Sequence, residues 1–425
     1  MDVVYISESV PQTKWAKSID WIAKAGIQNI ALDLRQYCSE YELEYREKFM
    51  KIAAERPENE FVSLAPEKLL EKADNLIVQS QELGLSNTIL MAPTLPWNTE
   101  RDDLEWLVRE LARQSIQVGK KAGCRYMMLN PLVKTMEQPK EWEKNLEFYL
   151  SFLTDLNETG ECILVPSYCR QYNGRFVRGS FSDPDALNRF VDELNARAKR
   201  KKYGICVDLG ICNLLGQSPH EFLKLLGSRV WATVVRENDG VTDNALLPFS
   251  ATNHMVSRMD WSGVIRGLRE IDFDGQLIFD FRGTVMSYSH LLRADLDVFT
   301  KKVMDYWVWQ ITMEHVMKKY SMRVLFGAGN MCRNYMRCYG EVYRPLFTCD
   351  NNSAMWGTMF HGLEIKNPKE LKALPDTCAI FICNVYYEEI EQQIRNMGLP
   401  NPVERFSDEY LPSFCFDRLD NGGRA

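Results

Sequence analysis

The sequence predicts an α/β chain: a closed (β/α)8 barrel followed by a small α/β domain. Three observations carry this. Eight short apolar runs, each closed by polar or charged residues, follow one another through the first 285 residues. Each is followed by a stretch long enough for a helix, the alternation of a parallel sheet closed on itself. From Ser321 a second, shorter strand–helix alternation begins. In barrels of this kind the chemistry sits where strands end, so the residues closing the runs are the first candidates.

In chain order the runs are VVYIS from Val3, NIALDLR from Asn29, TILMAP from Thr88, YMMLNP from Tyr126, ECILVPS from Glu161, YGICVDLG from Tyr203, VWATVVREND from Val230 and QLIFDFRG from Gln276. They read as nearly continuous apolar stretches, as expected of strands buried on both faces. Between them, SIDWIAKAGI groups Ile19, Ile22 and Ala23 and stops at Gly26, while DDLEWLVRELARQSIQVGKKAG carries a broad apolar stripe from Leu104 to Val118. DPDALNRFVDELNARAKR opens with Asp183 and Pro184, an N-cap followed by a first-turn proline. The expected organisation is a barrel over 1–290, a bridging helix over 291–320 rich in Trp307, Trp309, Met313 and Val316, an α/β domain over 321–415, and a disordered tail over 416–425.

Bulk composition narrows the function classes. At 425 residues two domains are the natural expectation, and 45% hydrophobic with 26% charged residues is ordinary for a globular protein. A net charge of −7 argues against a general nucleic-acid binder. The opening MDVVYISESV lacks the basic and apolar regions of a signal peptide, and charges interrupt every apolar run before a membrane span is reached. The twelve cysteines include no CxxC pair and several lie inside strands, which reads as reduced, buried thiols in a cytoplasmic protein.

The acids at strand ends are Asp33, Asp208, Glu237, Asp239 and Asp280. A closed barrel gathers such residues at one rim, where carboxylates repel unless a cation sits among them. Oxygen ligands of this kind suit magnesium or manganese. They also cap helices, or pair with Arg35, Arg236 and Arg282. Around the rim, Trp15 and the PTLPW segment ending at Trp97 are placed to stack on a sugar ring, and Arg170 and Arg178 to grip an anion. His254 and His290 fall in loops after the seventh and eighth strands.

The barrel region, through AGIQNIALDLR, LAPEKLLEKADNLIVQSQELGLS, YGICVDLGICNLLGQ, VVRENDGVTDNALLPFS and DWSGVIRGLREIDFDGQLIFDF, resembles the xylose-isomerase-like sugar phosphate isomerase/epimerase family of TIM barrels. The resemblance implies a divalent metal, Mn or Mg, held by a Glu, an Asp, a His and a Glu after strands five to eight, with two carboxylates moving protons. Asp208 matches the Asp, and Asp280 stands one methylene short of the last Glu. Pro166 or Ser167 replaces the first Glu, Arg236 replaces the His with Glu237 and Asn238 beside it, and Ile211 replaces a His that often follows Asp–x–Gly. On this resemblance Asp208, Glu237 and Asp280 form the metal set, and Glu237 and Asp280 carry protons on a sugar or sugar phosphate. Trp15, Trp97, Arg178, Arg236 and His254 bind the substrate. The departures favour a second reading, a sugar-binding barrel with a degenerate metal site. Barrels of this family often form homo-oligomers.

In the second domain FGAGN sets Gly327 and Gly329 between a strand and a helix, and Asp350 ends the next strand 21 residues past Gly329. Such a turn lets a phosphate approach the backbone, and the acid falls where a ribose would be held. Cys332 stands at the third glycine position, and the domain reads as having too few strands for a full dinucleotide fold. VLFGAGN, FTCDNN, WGT, GLEIKNPKEL and CAIFICN resemble the small Rossmann-like domains attached to sugar methyltransferases and acetyltransferases. That implies an accessory domain, with a nucleotide or nucleotide-linked sugar at Gly327, Gly329 and Asp350. A redox enzyme using nicotinamide there is the weakest alternative.

Overall fold

The structure is a computed structural model, and it describes residues 1–6, 18–34, 69–93, 105–134, 136–157, 160–250 and 259–407. Trp15, Trp97, His254 and the tail over 416–425 lie outside the described residues.

The eight apolar runs form the strands β1 (Asp2–Ile6), β2 (Asn29–Asp33), β3 (Ser86–Met91), β4 (Tyr126–Met128), β5 (Cys162–Pro166), β6 (Tyr203–Asp208), β7 (Val230–Val235) and β8 (Gln276–Phe279). All pair in parallel and in chain order, and β8 returns to β1 to close the barrel. Side chains alternate along a strand, so every second residue enters the barrel. Val4, Ile6, Ala31, Ile89, Met91, Met128, Leu164, Cys206, Ala232, Val234 and Ile278 pack there as one buried cluster. Each such Leu or Ile contributes about 1.5–3 kcal/mol by leaving water. The next step of the same period, one layer higher, brings in Asp33, Asn130, Pro166, Asp208, Arg236 and Asp280. The barrel's packing thereby places its polar mouth.

Local signals set the helices. Asp183 caps helix Pro184–Ala198 by accepting from the Ala186 amide at 2.8 Å, with Pro184 in the first turn. Gly26 ends the turn after helix Ser18–Lys24 at φ 82°, a conformation glycine adopts without strain. One element is absent from the sequence reading: a two-stranded ribbon, Arg170–Tyr172 against Arg175–Val177, turning at Asn173–Gly174 with φ 48° and 72°. That is the Asn-Gly turn favoured by the twist of paired strands.

The chain divides into two compact units, Met1–Asp260 with Glu270–Asp305, and Trp261–Arg269 with Tyr306–Ala425. The division falls inside the long helix Arg293–Lys318 and draws helix Trp261–Glu270, up to Arg269, into the second unit. Trp261 meets Trp307 edge-on at 5.0 Å, and Arg269 donates to the Gln310 carbonyl at 2.6 Å. Within the first unit, the Tyr5 hydroxyl donates to buried Asp297 at 3.1 Å.

The second unit is built on β9 (Arg323–Phe326), β10 (Thr348–Cys349), β11 (Met359–Phe360), β12 (Leu363–Lys366), β13 (Ala379–Ile382) and β14 (Val403–Arg405), in the sheet order β11-β12-β10-β9-β13-β14. Only β11 runs antiparallel. The strand order reverses beside β9, the doubly wound pattern. The sheet has more strands than the sequence reading expects: β11 and β14 are its two edges, and β12 and β14 extend the parallel part on its two sides. Both strands are short, and β14 follows Pro402, so neither carries a long apolar run. The ten described cysteines are free thiols. Among the described residues no helix is long and apolar enough to cross a membrane.

Candidate functional site at the barrel mouth

A cavity of about 300 Å³ opens at the carboxyl ends of the strands, with Asn130, Lys134, Ser167, Tyr168, Cys169, Phe176, Asp208, Arg236, Asp243 and Arg282 among its walls. Asp208 ends β6 and caps the short helix Leu209–Leu214, accepting from the Gly210 and Ile211 amides at 3.0 and 3.3 Å. Its own amide donates to Ser167 Oγ at 2.8 Å, tying the ends of β5 and β6 together.

Arg236 crosses this helix start. Its Nε donates to both Asp208 oxygens, at 2.7 and 3.0 Å, and its Nη1 to Asp243. A Cβ at position 210 would lie 2.8 Å from Arg236 Nε, so the glycine of Asp208-Leu209-Gly210 is what lets the guanidinium lie there. Arg282 forms the second ion pair, with Nε and Nη2 to the two oxygens of buried Asp280 at 2.8 and 2.9 Å. Its Nη1 reaches buried Asp33 at 3.5 Å. Fork-shaped contacts of this kind are strong and directional.

The electrostatics follow from burial and pairing. Burial pushes the Asp208 carboxyl above the usual carboxylate range, and Arg236 offsets part of that rise. For Arg236, burial works against the charge, but Asp208, Asp243 and Asp280 outweigh it and hold the guanidinium firmly protonated. Cys169 is pushed up to about 12, first by burial and then by Asp208 and Asp243, so its thiol is neutral and no nucleophile.

The expected residues are only partly brought together. Asp208 and Arg236 meet in the cavity wall, and Asp280 lies behind Arg282. Glu237 is not in the cavity wall: it follows the inward Arg236 by one residue, bridges to Leu246, and its buried carboxylate accepts from the Ser250 amide at 3.1 Å. Neither Glu237 nor Asp280, the expected proton-moving pair, is among the walls of this cavity. Asp239 closes a turn, accepting from the Val241 and Thr242 amides, which hold its pKa down. Arg178 is exposed and donates to the Leu215 carbonyl at 3.3 Å. Arg170 is buried against Glu141 and donates to the Lys134 carbonyl at 2.7 Å, so it holds the ribbon rather than a free anion.

The described residues of the mouth do not fit a divalent ion. Among the described residues no group of three His, Cys, Asp or Glu side chains is placed to hold one. The expected metal set of Asp208, Glu237 and Asp280 is not among such groups. Asp208 and Asp280 each carry a guanidinium, Glu237 lies outside the wall, and Pro166 supplies no ligand atom. A fixed cation at Arg236 repels a second one. Pairing of strand-end acids with Arg236 and Arg282 is among the expectations, and Asp243 is the member of the site that the sequence reading lacks. Asp243 lies in the loop seven residues past Arg236, and only the folded loop returns it to the guanidinium.

The glycine turn of the second unit shows a different use of similar residues. Gly327 has φ 117°, and a Cβ there would lie 2.7 Å from the Cys383 carbonyl oxygen. Its role is close packing of β9 and β13. Asp350 accepts from the Ala328 amide at 2.9 Å and from the Asn352 amide at 2.8 Å. The acid expected to hold a ribose thus holds the turn itself. Gly329 is extended and opens helix Asn330–Cys338. Nothing in this geometry favours the expected nucleotide.

No protein-family model matches the chain, and no curated protein sequence does. Solved structures do. A D-tagatose 3-epimerase-like protein superposes with a TM-score of 0.50 at 16% identity, over 74% of this chain and 99% of its own. An L-ribulose 3-epimerase superposes with a TM-score of 0.50 at 11% identity, over 75% of this chain and 98% of its own. At these identities the likeness shows a shared barrel fold.

Proposed function

We propose that this chain is a sugar or sugar-phosphate isomerase/epimerase-like barrel that takes its substrate into the mouth cavity and uses arginine where a divalent cation would otherwise stand. The observation that carries the reading is Arg236, a buried guanidinium in the cavity wall, fixed by Asp208 and Asp243. The fold shared with solved structures named as sugar epimerases supports it.

Moving a proton beside a sugar carbonyl needs a carboxyl of suitable pKa and a fixed positive group facing the oxygen that gains charge. Asp208 is the cavity-wall carboxyl with a raised pKa, and Arg236 and Arg282 are the fixed cations. Asp280 and Asp33 orient Arg282. A second reading is a barrel that binds sugar without turnover. It is favoured by the hydrogen bonds already made to Asp208 and by the position of Glu237.

The test is incubation of the full chain with a panel of ketoses and their phosphates in deuterated water, followed by proton NMR. The expected result is deuterium entering the carbon beside the carbonyl, unchanged by EDTA and lost in Asp208→Asn. Saturable thermal stabilisation without exchange supports the second reading. Exchange that requires added manganese overturns the role given to Arg236.

A further inference from the structure

The barrel has a second cavity, of about 440 Å³, at the opposite end, where the strands begin. Its walls come from the starts of β4, β5 and β7 and from the 271–275 turn leading into β8. At its centre are two half-buried aromatic rings, Tyr126 and Trp231, with centroids 6.4 Å apart and planes tilted by 59°. Both pack on the barrel's apolar core from below.

The placing of Trp231 depends on two glycines. A Cβ at Gly204 would lie 2.0 Å from the indole Cδ2, and a Cβ at Gly275 would lie 2.3 Å from the Trp231 carbonyl oxygen. Neither position tolerates a side chain while the indole stays where it is. Two exposed cations stand over the rings: Arg125 Cζ is 5.3 Å from the Tyr126 centroid, and Lys201 Nζ is 5.6 Å from that of Trp231. Asp272 and Asp274 are also among the cavity's walls, Asp274 paired with the amino group of Met1. Burial raises the pKa of the Tyr126 hydroxyl and of the Cys162 thiol, so both enter the cavity as neutral groups.

We propose that this cavity is a second, non-catalytic carbohydrate site, taking a neutral pyranose whose C–H face replaces the exposed Lys201 side chain over Trp231 and whose hydroxyls lie between Arg125, the displaced Lys201 and Asp272. Three features select that class. An aromatic face offers an apolar platform to a ring whose C–H face is apolar, and charged side chains of both signs match hydroxyls that donate and accept. Asp272, among the same walls, opposes the phosphate of a nucleotide. The proposal does not rest on the reading of the mouth, since the two cavities share no wall residue.

The experiment is saturation-transfer NMR on the full chain with methyl glucopyranosides, maltotriose and uridine monophosphate as probes. Four proteins are compared: the native chain, Asp208→Asn, the surface double variant Arg125→Ala/Lys201→Ala, and Trp231→Phe. The expected result is transfer to the sugar C–H protons that survives in Asp208→Asn. It should fall at least threefold in the double variant, whose exposed side chains leave the core intact, and weaken in Trp231→Phe. No transfer to any sugar overturns the proposal. So does transfer lost only in Asp208→Asn, or transfer to uridine monophosphate alone.

Discussion

Asp208 and Asp350 stand at equivalent places in two different bodies, each at the end of a parallel strand and before a helical turn. Their surroundings give them opposite work. Asp208 lines a cavity and carries Arg236, so its charge is part of a polar wall open to a ligand. Asp350 spends its oxygens on the Ala328 and Asn352 amides, and it stiffens a turn. Both acids accept from main-chain amides, Asp208 from Gly210 and Ile211. An acid at a strand end therefore marks a site when a side chain aimed into a cavity joins those amides, and belongs to the scaffold when amides are its partners alone.

The sharpest way to break this comparison is at the mouth. Arg236→Met leaves Asp208 and Asp243 facing one another without a cation. Because Asp208 keeps some access to water, the expected loss of stability is about 3 kcal/mol, the lower end for breaking a buried pair. Urea unfolding of the variant measures it, and a loss below 1 kcal/mol would show that the pair is solvated and not part of a built wall.

A buried acid without a cavity gives the next largest effect. Asp297 is pushed up to about 6, first by burial, with the Tyr5 hydroxyl and Arg293 pulling the other way. Its ionised form is disfavoured in the folded chain. The stability it permits is complete below the unfolded carboxylate range near 3.8 and is lost as pH rises to about 6. Asp297→Asn should raise stability at pH 7 by about 2 kcal/mol and change little at pH 4, as thermal melts at the two pH values would reveal.

The glycine turn supplies the smallest effects. Gly327→Ala should cost about 2 kcal/mol, from its left-handed φ and the Cys383 carbonyl 2.7 Å from the new Cβ. Asp350→Asn should cost about 1 kcal/mol, since the amide oxygen still accepts from one donor. If titration with uridine monophosphate stabilised the native chain but not Asp350→Asn, the turn would be a ligand site and the contrast with the mouth would fail.

Much of the architecture was legible in the sequence because it follows from short-range rules. Apolar runs of five or six residues with helical stretches between them define the barrel, and the period of two in β2, β6 and β8 already aims Asp33, Asp208 and Asp280 at one rim. The Asp183–Pro184 helix start and the Gly26 stop were readable from their own chemistry. The sequence does not separate Arg236 from its neighbour Glu237, and only the pleat at the end of β7 decides which of them enters the barrel. The ribbon at Arg170–Val177 was missed because three-residue strands have no periodicity to detect.

What the sequence by itself determined is the barrel and the ring of acids at its mouth, since pattern and strand length need no knowledge of distant residues. What only the tertiary structure decided is the partner of each acid: Arg236 and Arg282 for Asp208 and Asp280, the Ser250 amide for Glu237, the Ala328 amide for Asp350. A carboxylate takes its chemistry from the charges and donors within a few ångströms, and folding brings those together from positions that chain order does not reveal.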